Sequence, residues 1–200
     1  MATFTNAATL SYNGNTLVSN TVTGTFQELL TVSKTAVGDT YAPNGEAVFA
    51  VSLVNSGAAA LTGLTLNDNL GAYAYNTSTL YPLTYIDGSI QYYINGVLQA
   101  APTATAGPPL VISGINVPAG GNALLVYKAK VNEYAPPAQG STITNTASVT
   151  GAGISTAVTD QAVITAQAAP ELRIIKSLSP TTVSDNGELT YTFTIENIGS

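Results

Sequence analysis

The sequence predicts an all-β chain folded as a β-sandwich, on three observations. Short runs rich in Thr and β-branched residues alternate apolar and polar positions with period two, the pattern of half-buried strands. Gly and Pro break these runs at short intervals, as turns between strands require. No stretch repeats its apolar residues at helical spacing.

Taken in order, LTVSK (30–34) opens the alternation, followed by AVFAVSLV (47–54) and LTGLTL (61–66). SIQYYI (89–94) meets VLQA across Asn95-Gly96, a pair that tolerates positive φ and therefore reads as a two-residue hairpin turn. ALLVYKAKV (123–131), TITNTASV (142–149) and LRIIKS (172–177) complete the set, and residues 17–23 and 157–165 read as further strands. The breaks fall at Pro43-Asn44-Gly45, Gly107-Pro108-Pro109, Pro118 to Gly121 and Pro136-Pro137.

Composition narrows the function. The 200 residues carry 5 basic and 11 acidic side chains, a net charge of −6, which gives no electrostatic footprint for nucleic acid or anionic membrane. With no Cys and no His, thiol nucleophiles, disulfides, histidine bases and Cys/His metal sites are excluded, and no cofactor or metal is expected. No apolar run is long enough for a membrane span, so no membrane insertion is expected. The start, MATFTNAATL, has neither a basic n-region nor an apolar h-region, so no ordinary secretory signal is expected. Charged residues make up 8% of the chain, against roughly 25% in ordinary soluble domains. With 29 Thr in their place, the surface is polar but nearly uncharged, as suits a chain that packs against copies of itself or, more simply, a secreted β-protein; composition does not separate the two.

The chain repeats itself. Residues 34–57 (KTAVGDTYAPNGEAVFAVSLVNSG) align without gaps to 176–199 (KSLSPTTVSDNGELTYTFTIENIG), so that Lys34 meets Lys176, Asn55 meets Asn197 and Gly57 meets Gly199. FTNAATLSYNGNTLVSNTVTG near the front echoes ITNTASVTGAGISTAVTDQAVIT, with Asn6 matching Asn145. Three segments follow: an N-terminal strand pair (1–28) resembling the end of a repeat and a donor-strand candidate, a complete repeat (29–166), and the first strands of a second, incomplete repeat (171–200), after the linker AQAAP (166–170).

Three polar residues take inward positions. Leu30, Val32 and Lys34 share one strand face; so do Leu64, Leu66, Asp68 and Leu70, and Ile143, Asn145, Ala147 and Val149. A lone buried charge costs several kcal/mol unless paired or neutralised, so Lys34, Asp68 and Asn145 are expected to satisfy one another. Burial lowers the pKa of an amine and raises that of a carboxyl. A neutral Lys34 amine beside the Asn145 carboxamide, with a protonated Asp68 to polarise the carbonyl and shuttle the proton, is set to form an isopeptide bond and release ammonia. The plainer reading is a hydrogen-bonded Lys34–Asp68 pair with Asn145 capping a turn. By the same logic Asn6 and Lys176 are candidates for a cross-link between subunits. The tyrosines at 73, 75, 81, 85, 92 and 93 could form an aromatic glycan platform, though strand packing explains them more simply. The acidic turns at 67–69 and 184–188 lack calcium-loop spacing. Asn76-Thr77-Ser78 fits a glycosylation acceptor. Nothing points to an enzyme.

The run LTVSKTAVGDTYAPNGEAVFAVSLVNSGAAALTGLTLNDNLG, followed by VPAGGNALLVYKAKV and STITNTASV, resembles the domain-of-unknown-function-11 repeat of bacterial and archaeal surface proteins and clostridial spore appendages. The resemblance implies an Ig-like β-sandwich with a structural or adhesive role at the cell or spore surface, and release of spore proteins by mother-cell lysis would account for a missing signal. The expected function is a self-assembling filament subunit that partners other copies of itself head to tail. Strand exchange and isopeptide bonds would join it, because an exposed strand edge recruits another chain. The alternatives are a stalk or adhesin module and, third, a glycan-binding module.

Overall fold

The computed structural model describes residues 3–25, 29–168 and 172–197. Ala169 and Pro170 of the expected linker, Glu171 at the expected start of the second repeat, and Gly199 of the repeat alignment lie outside the described residues.

The central repeat begins after four short strands, β1 (Thr3–Asn6), β2 (Thr9–Tyr12), β3 (Asn15–Val18) and β4 (Val22–Thr25). It comprises β5 (Leu30–Ala36), β6 (Thr40–Tyr41), β7 (Glu46–Asn55), β8 (Leu61–Asp68), β9 (Tyr73–Tyr75), β10 (Ser78–Leu80) and β11 (Leu83–Tyr85). It continues with β12 (Gln91–Ile94), β13 (Val97–Gln99), β14 (Thr103–Thr105), β15 (Leu110–Val117), β16 (Asn122–Val131), β17 (Thr142–Thr150) and β18 (Val158–Ala166). Two more strands, β19 (Leu172–Ser179) and β20 (Thr190–Asn197), follow it. No described residue is helical.

Two six-stranded sheets face each other. One runs β13-β12-β16-β7-β5, with β11 also on β16, and the other runs β14-β15-β8-β17-β18-β6. The short β18–β6 pairing is parallel; the other neighbours are antiparallel. The expected alternation decides which face is inward: β7 buries Ala47, Phe49, Val51, Leu53 and Asn55, and β16 buries Ala123, Leu125, Tyr127, Ala129 and Val131. From the facing sheet, Leu64, Leu66, Ile112, Ile115, Ile143 and Ile164 close the core. Each large apolar side chain buried in this way contributes about 1.5–3 kcal/mol. Asn95 and Gly96 take φ of 48° and 81°, the left-handed pair of the expected hairpin turn between β12 and β13.

The chain changes sheets between β5 and β6, so the edge strand β5 packs beside β18. Asp160 on β18 seals this edge, its Oδ2 accepting the Lys34 backbone N–H at 2.6 Å. That bond occupies a backbone donor that an edge strand would otherwise offer to another chain.

Both terminal hairpins reproduce registers of the central sandwich. Lys34 pairs with Val51 and Leu30 with Asn55; 142 positions later, Lys176 pairs with Phe193 and Leu172 with Asn197. At the front, Thr3 pairs with Thr25 and Asn6 with Val22, as Thr142 pairs with Thr165 and Asn145 with Ala162. The first hairpin differs in one respect. It is broken into two ladders, β1–β4 and β2–β3, where β17–β18 is continuous. The faces that the central sandwich buries are exposed in both hairpins: Phe4 and Val22 in the first, Ile174, Tyr191, Phe193 and Ile195 in the second.

Candidate functional site

The three inward polar residues meet between the sheets. β5 delivers Lys34 from one sheet, while β8 and β17 deliver Asp68 and Asn145 from the other; they are 3%, 0% and 0% exposed. Register places them together. Ala147 pairs with Asp68 across β17 and β8, so Asn145, two residues along the same face, lies beside the turn that follows β8.

That turn is built from Asn67-Asp68-Asn69-Leu70-Gly71. The Leu70 N–H donates to Asp68 Oδ1 at 2.9 Å, which fixes the carboxylate plane. Asn69 Oδ1 accepts from Gly71 N–H at 3.0 Å and from Thr146 N–H at 2.8 Å, clamping the turn to β17. Leu70 and Gly71 have φ of 52° and 72°, which aims successive N–H groups inward. The Gly71 N–H also reaches Asn145 Oδ1 at 3.3 Å. A Cβ at Gly71 would sit 2.4 Å from Ile143 Cγ2, so glycine is required here on two counts.

The other carboxylate oxygen is shared. Lys34 Nζ and the Tyr127 hydroxyl both donate to Asp68 Oδ2 in short, fully buried contacts. Asn145 Nδ2 donates to the Tyr127 hydroxyl at 3.4 Å. The ammonium lies 5.1 Å from the centre of the Phe49 ring and 5.9 Å from that of Tyr127, within cation–π range. The result is a chain of polar contacts, Lys34–Asp68–Tyr127–Asn145, enclosed by hydrocarbon. Desolvation lowers the Lys34 pKa from the usual lysine value of 10.5, and the Asp68 charge offsets only part of that. Desolvation, then the charge of Asp68, raises the Tyr127 phenol well above 10.0.

Such a site has the parts for amide exchange: an amine pushed toward its neutral form, a carboxamide, a carboxylate on the amine, and an N–H on the carboxamide oxygen. Sequence reasoning missed Tyr127, because a tyrosine within ALLVYKAKV reads as an ordinary core position; its inward phase shared with Leu125 was the available signal. It also missed Gly71 and Asp160. The expectation that Asp68 polarises the Asn145 carbonyl is replaced by a division of labour. Gly71 N–H meets that oxygen, and Asp68 serves the amine and the phenol.

Asn6 and Lys176 occupy separate two-stranded sheets and are solvent-exposed. Lys176 Nζ lies 4.5 Å from the Tyr191 ring centre and 5.4 Å from that of Phe193. Tyr191 is the repeat counterpart of Phe49, so this lysine repeats the aromatic half of the Lys34 environment. Asn55, also buried, caps the turn after β7: Nδ2 donates to Ala59 O at 2.8 Å and Pro118 O at 3.0 Å, and Oδ1 accepts from Gly57 N–H. The tyrosines do not form one platform. Tyr85 and Tyr92 are core residues, and the Tyr92 hydroxyl donates to Asn116 O at 2.7 Å, whereas Tyr75 is 58% exposed. Among the described residues, no helix is long and apolar enough to cross a membrane.

No family model matches the chain, and no curated protein matches it. Solved structures do. The full-length major pilin SpaD of Corynebacterium diphtheriae matches with a TM-score of 0.51 at 13% identity, over 74% of this chain and 37% of the pilin. BcpA, the major pilin subunit of Bacillus cereus, matches with a TM-score of 0.49 at 14% identity, over 98% of this chain and 62% of that one. The N-terminal domain of the Streptococcus gordonii adhesin Sgo0707 gives 0.48 at 11%, over 76% and 36%. The match spans less than two thirds of each of these proteins. At these identities the likeness concerns the fold, an Ig-like β-sandwich.

Proposed function

We propose that this chain is a non-enzymatic, load-bearing module of an extracellular or spore-surface filament, with its sandwich stapled by an isopeptide bond between Lys34 and Asn145. The observation that carries the reading is the buried Lys34–Asp68–Tyr127–Asn145 chain bridging the two sheets. The neutral Lys34 amine attacks Asn145 Cγ, and the oxyanion that forms meets the Gly71 N–H. The Cγ–Nδ2 bond then breaks and ammonia leaves, so one amide replaces another. The staple joins the first strand of the repeat to its penultimate strand, and a pull on the chain ends therefore loads a covalent bond. The sandwich shared with a major pilin supports the reading.

Copies join head to tail through the hairpins. The β19–β20 face, with Ile174, Phe193 and Ile195, has the register of the β5–β7 face, and the β1–β4 hairpin has the register of β17–β18. Within the central sandwich, β18 packs against β5, so the first hairpin of one copy is shaped to cover the second hairpin of the next. The contact is heterologous, and repeated it builds a filament. Asn6 then faces Lys176, the candidate cross-link between subunits.

Intact mass in denaturant tests both levels. A Lys34–Asn145 bond removes one ammonia, about 17 Da, and the deficit is absent from Lys34→Ala. Species at multiples of the monomer mass that survive denaturation and vanish in Asn6→Ala report the bond between copies. A wild-type mass equal to that of the sequence refutes the staple.

A further inference from the structure

We infer that Tyr127 is a catalytic residue of the Lys34–Asn145 condensation, handing the departing amide nitrogen the proton it needs to leave as ammonia. The inference rests on the isopeptide reading above and assigns the step that reading leaves open. An amide nitrogen does not leave as an anion; it must be protonated as the C–N bond breaks. The side-chain atom hydrogen-bonded to Asn145 Nδ2 is the Tyr127 hydroxyl, at 3.4 Å, a separation that closes as the reacting groups draw together. Asp68 is occupied elsewhere, Oδ1 by the Leu70 N–H and Oδ2 by Lys34 and the phenol.

The shared oxygen makes the relay balance. Proton transfer from Lys34 to Asp68 Oδ2 yields a neutral amine and a carboxylic acid. As the amine adds to Asn145 Cγ, Nδ2 turns pyramidal, loses its amide resonance and becomes a proton acceptor, reversing its hydrogen bond with the phenol. Tyr127 gives its proton to Nδ2 and takes one from Asp68 Oδ2. The carboxylate so formed removes the surplus proton from the Lys34 nitrogen, now bonded to Cγ. One C–N bond forms, one breaks, Tyr127 ends as it began, and Asp68 holds the proton first taken from the Lys34 ammonium until the departing ammonia carries it off as ammonium.

Packing alone does not explain the hydroxyl. The Tyr127 and Phe49 rings pack at 5.7 Å between centroids, tilted by 30°, and a phenylalanine would fill that space equally well. Burying a hydroxyl is unfavourable unless its hydrogen bonds are made, and this one bonds the carboxylate that holds the amine and the carboxamide that the amine attacks.

The test follows the ammonia loss with time, by intact mass, in the full chain made by cell-free synthesis and quenched in acid. Tyr127→Phe is expected to fold, by its near-ultraviolet and far-ultraviolet circular dichroism, and to condense about 10²-fold or more slowly. A second variant carries 3,5-difluorotyrosine at position 127 alone, which keeps the ring and the hydroxyl while making the phenol more acidic; its pH–rate profile is expected to move to lower pH. A folded Tyr127→Phe that condenses at the wild-type rate overturns the relay and leaves the bond standing. If Tyr127→Phe does not fold, an unmoved profile in the difluorotyrosine protein overturns it. A wild-type chain that never loses ammonia refutes the bond itself, and the relay with it.

Discussion

Replacing Asn145 by Ala removes the electrophile and keeps the Lys34–Asp68 pair, so it isolates the contribution of the staple. A cross-link between positions 34 and 145 closes a loop of roughly 110 residues, and chain-entropy reasoning gives such a loop about 4.7 kcal/mol of stabilisation through the unfolded state. The truncation itself costs less. Gly71 N–H keeps Asn69 Oδ1 at 3.0 Å and the Tyr127 hydroxyl keeps Asp68, so the lost hydrogen bonds are worth about 1 kcal/mol. The restored Lys34–Asp68 ion pair roughly cancels, desolvation against attraction. The expected loss is about 5–6 kcal/mol, which at about 2–4 °C per kcal/mol for a domain of this size lowers Tm by roughly 15 °C. Scanning calorimetry beside intact mass measures both quantities on one sample, and Lys34→Met, which also lacks the bond, should fall similarly. An Asn145→Ala protein melting within about 3 °C of wild type would refute the claim that the two sheets are covalently joined.

Gly71→Ala forces a Cβ to within 2.4 Å of Ile143 Cγ2 and 3.0 Å of Pro82 Cγ at a φ of 72°; it should cost about 1–3 kcal/mol in urea denaturation and slow ammonia loss in the mass assay. Phe49→Ala removes a fully buried ring beside the Lys34 ammonium and should cost about 3–5 kcal/mol, read from the same urea midpoints. Phe193→Asp places a charge on the exposed apolar face of β20 and should abolish self-association in sedimentation velocity while leaving Tm of the central sandwich unchanged. In Asn145→Ala the Lys34 amine is free and its folded pKa lies below 10.5, so the unfolded chain binds a proton that the folded chain does not. Stability should therefore rise with pH from that lowered value up to the tyrosine range, then fall above about 10 because Tyr127 stays protonated only in the folded state; wild type, with Lys34 as an amide, should lack the rise.

Strand phase makes much of the site legible in the amino-acid pattern alone. Lys34, Asp68 and Asn145 each occupy the apolar phase of a strong period-two run, and the energetic cost of a buried charge already requires them to meet. The repeat is legible for a related reason. An offset of 142 positions that preserves Lys34, Asn55 and Gly57 also preserves the ladder register, because register depends on which side chains must face inward. What the sequence does not disclose depends on where one sheet lies over the other. Tyr127 sits in a run as apolar as any in the core, and only the stacking of β16 over β8 and β17 turns its hydroxyl from a packing detail into the bridge between a carboxylate and a carboxamide. Gly71 is hidden differently, because its role belongs to a backbone N–H, and the pattern of side chains cannot record where a backbone donor points. The same limit bears on Asn6 and Lys176. Their hairpins repeat the registers of β17–β18 and β5–β7, but Asp68 and Tyr127 come from β8 and β16. Aromatic contacts hold Lys176, whereas Lys34 has a carboxylate besides its aromatic rings, so a joint built from these two hairpins has its packing face in place before its chemistry.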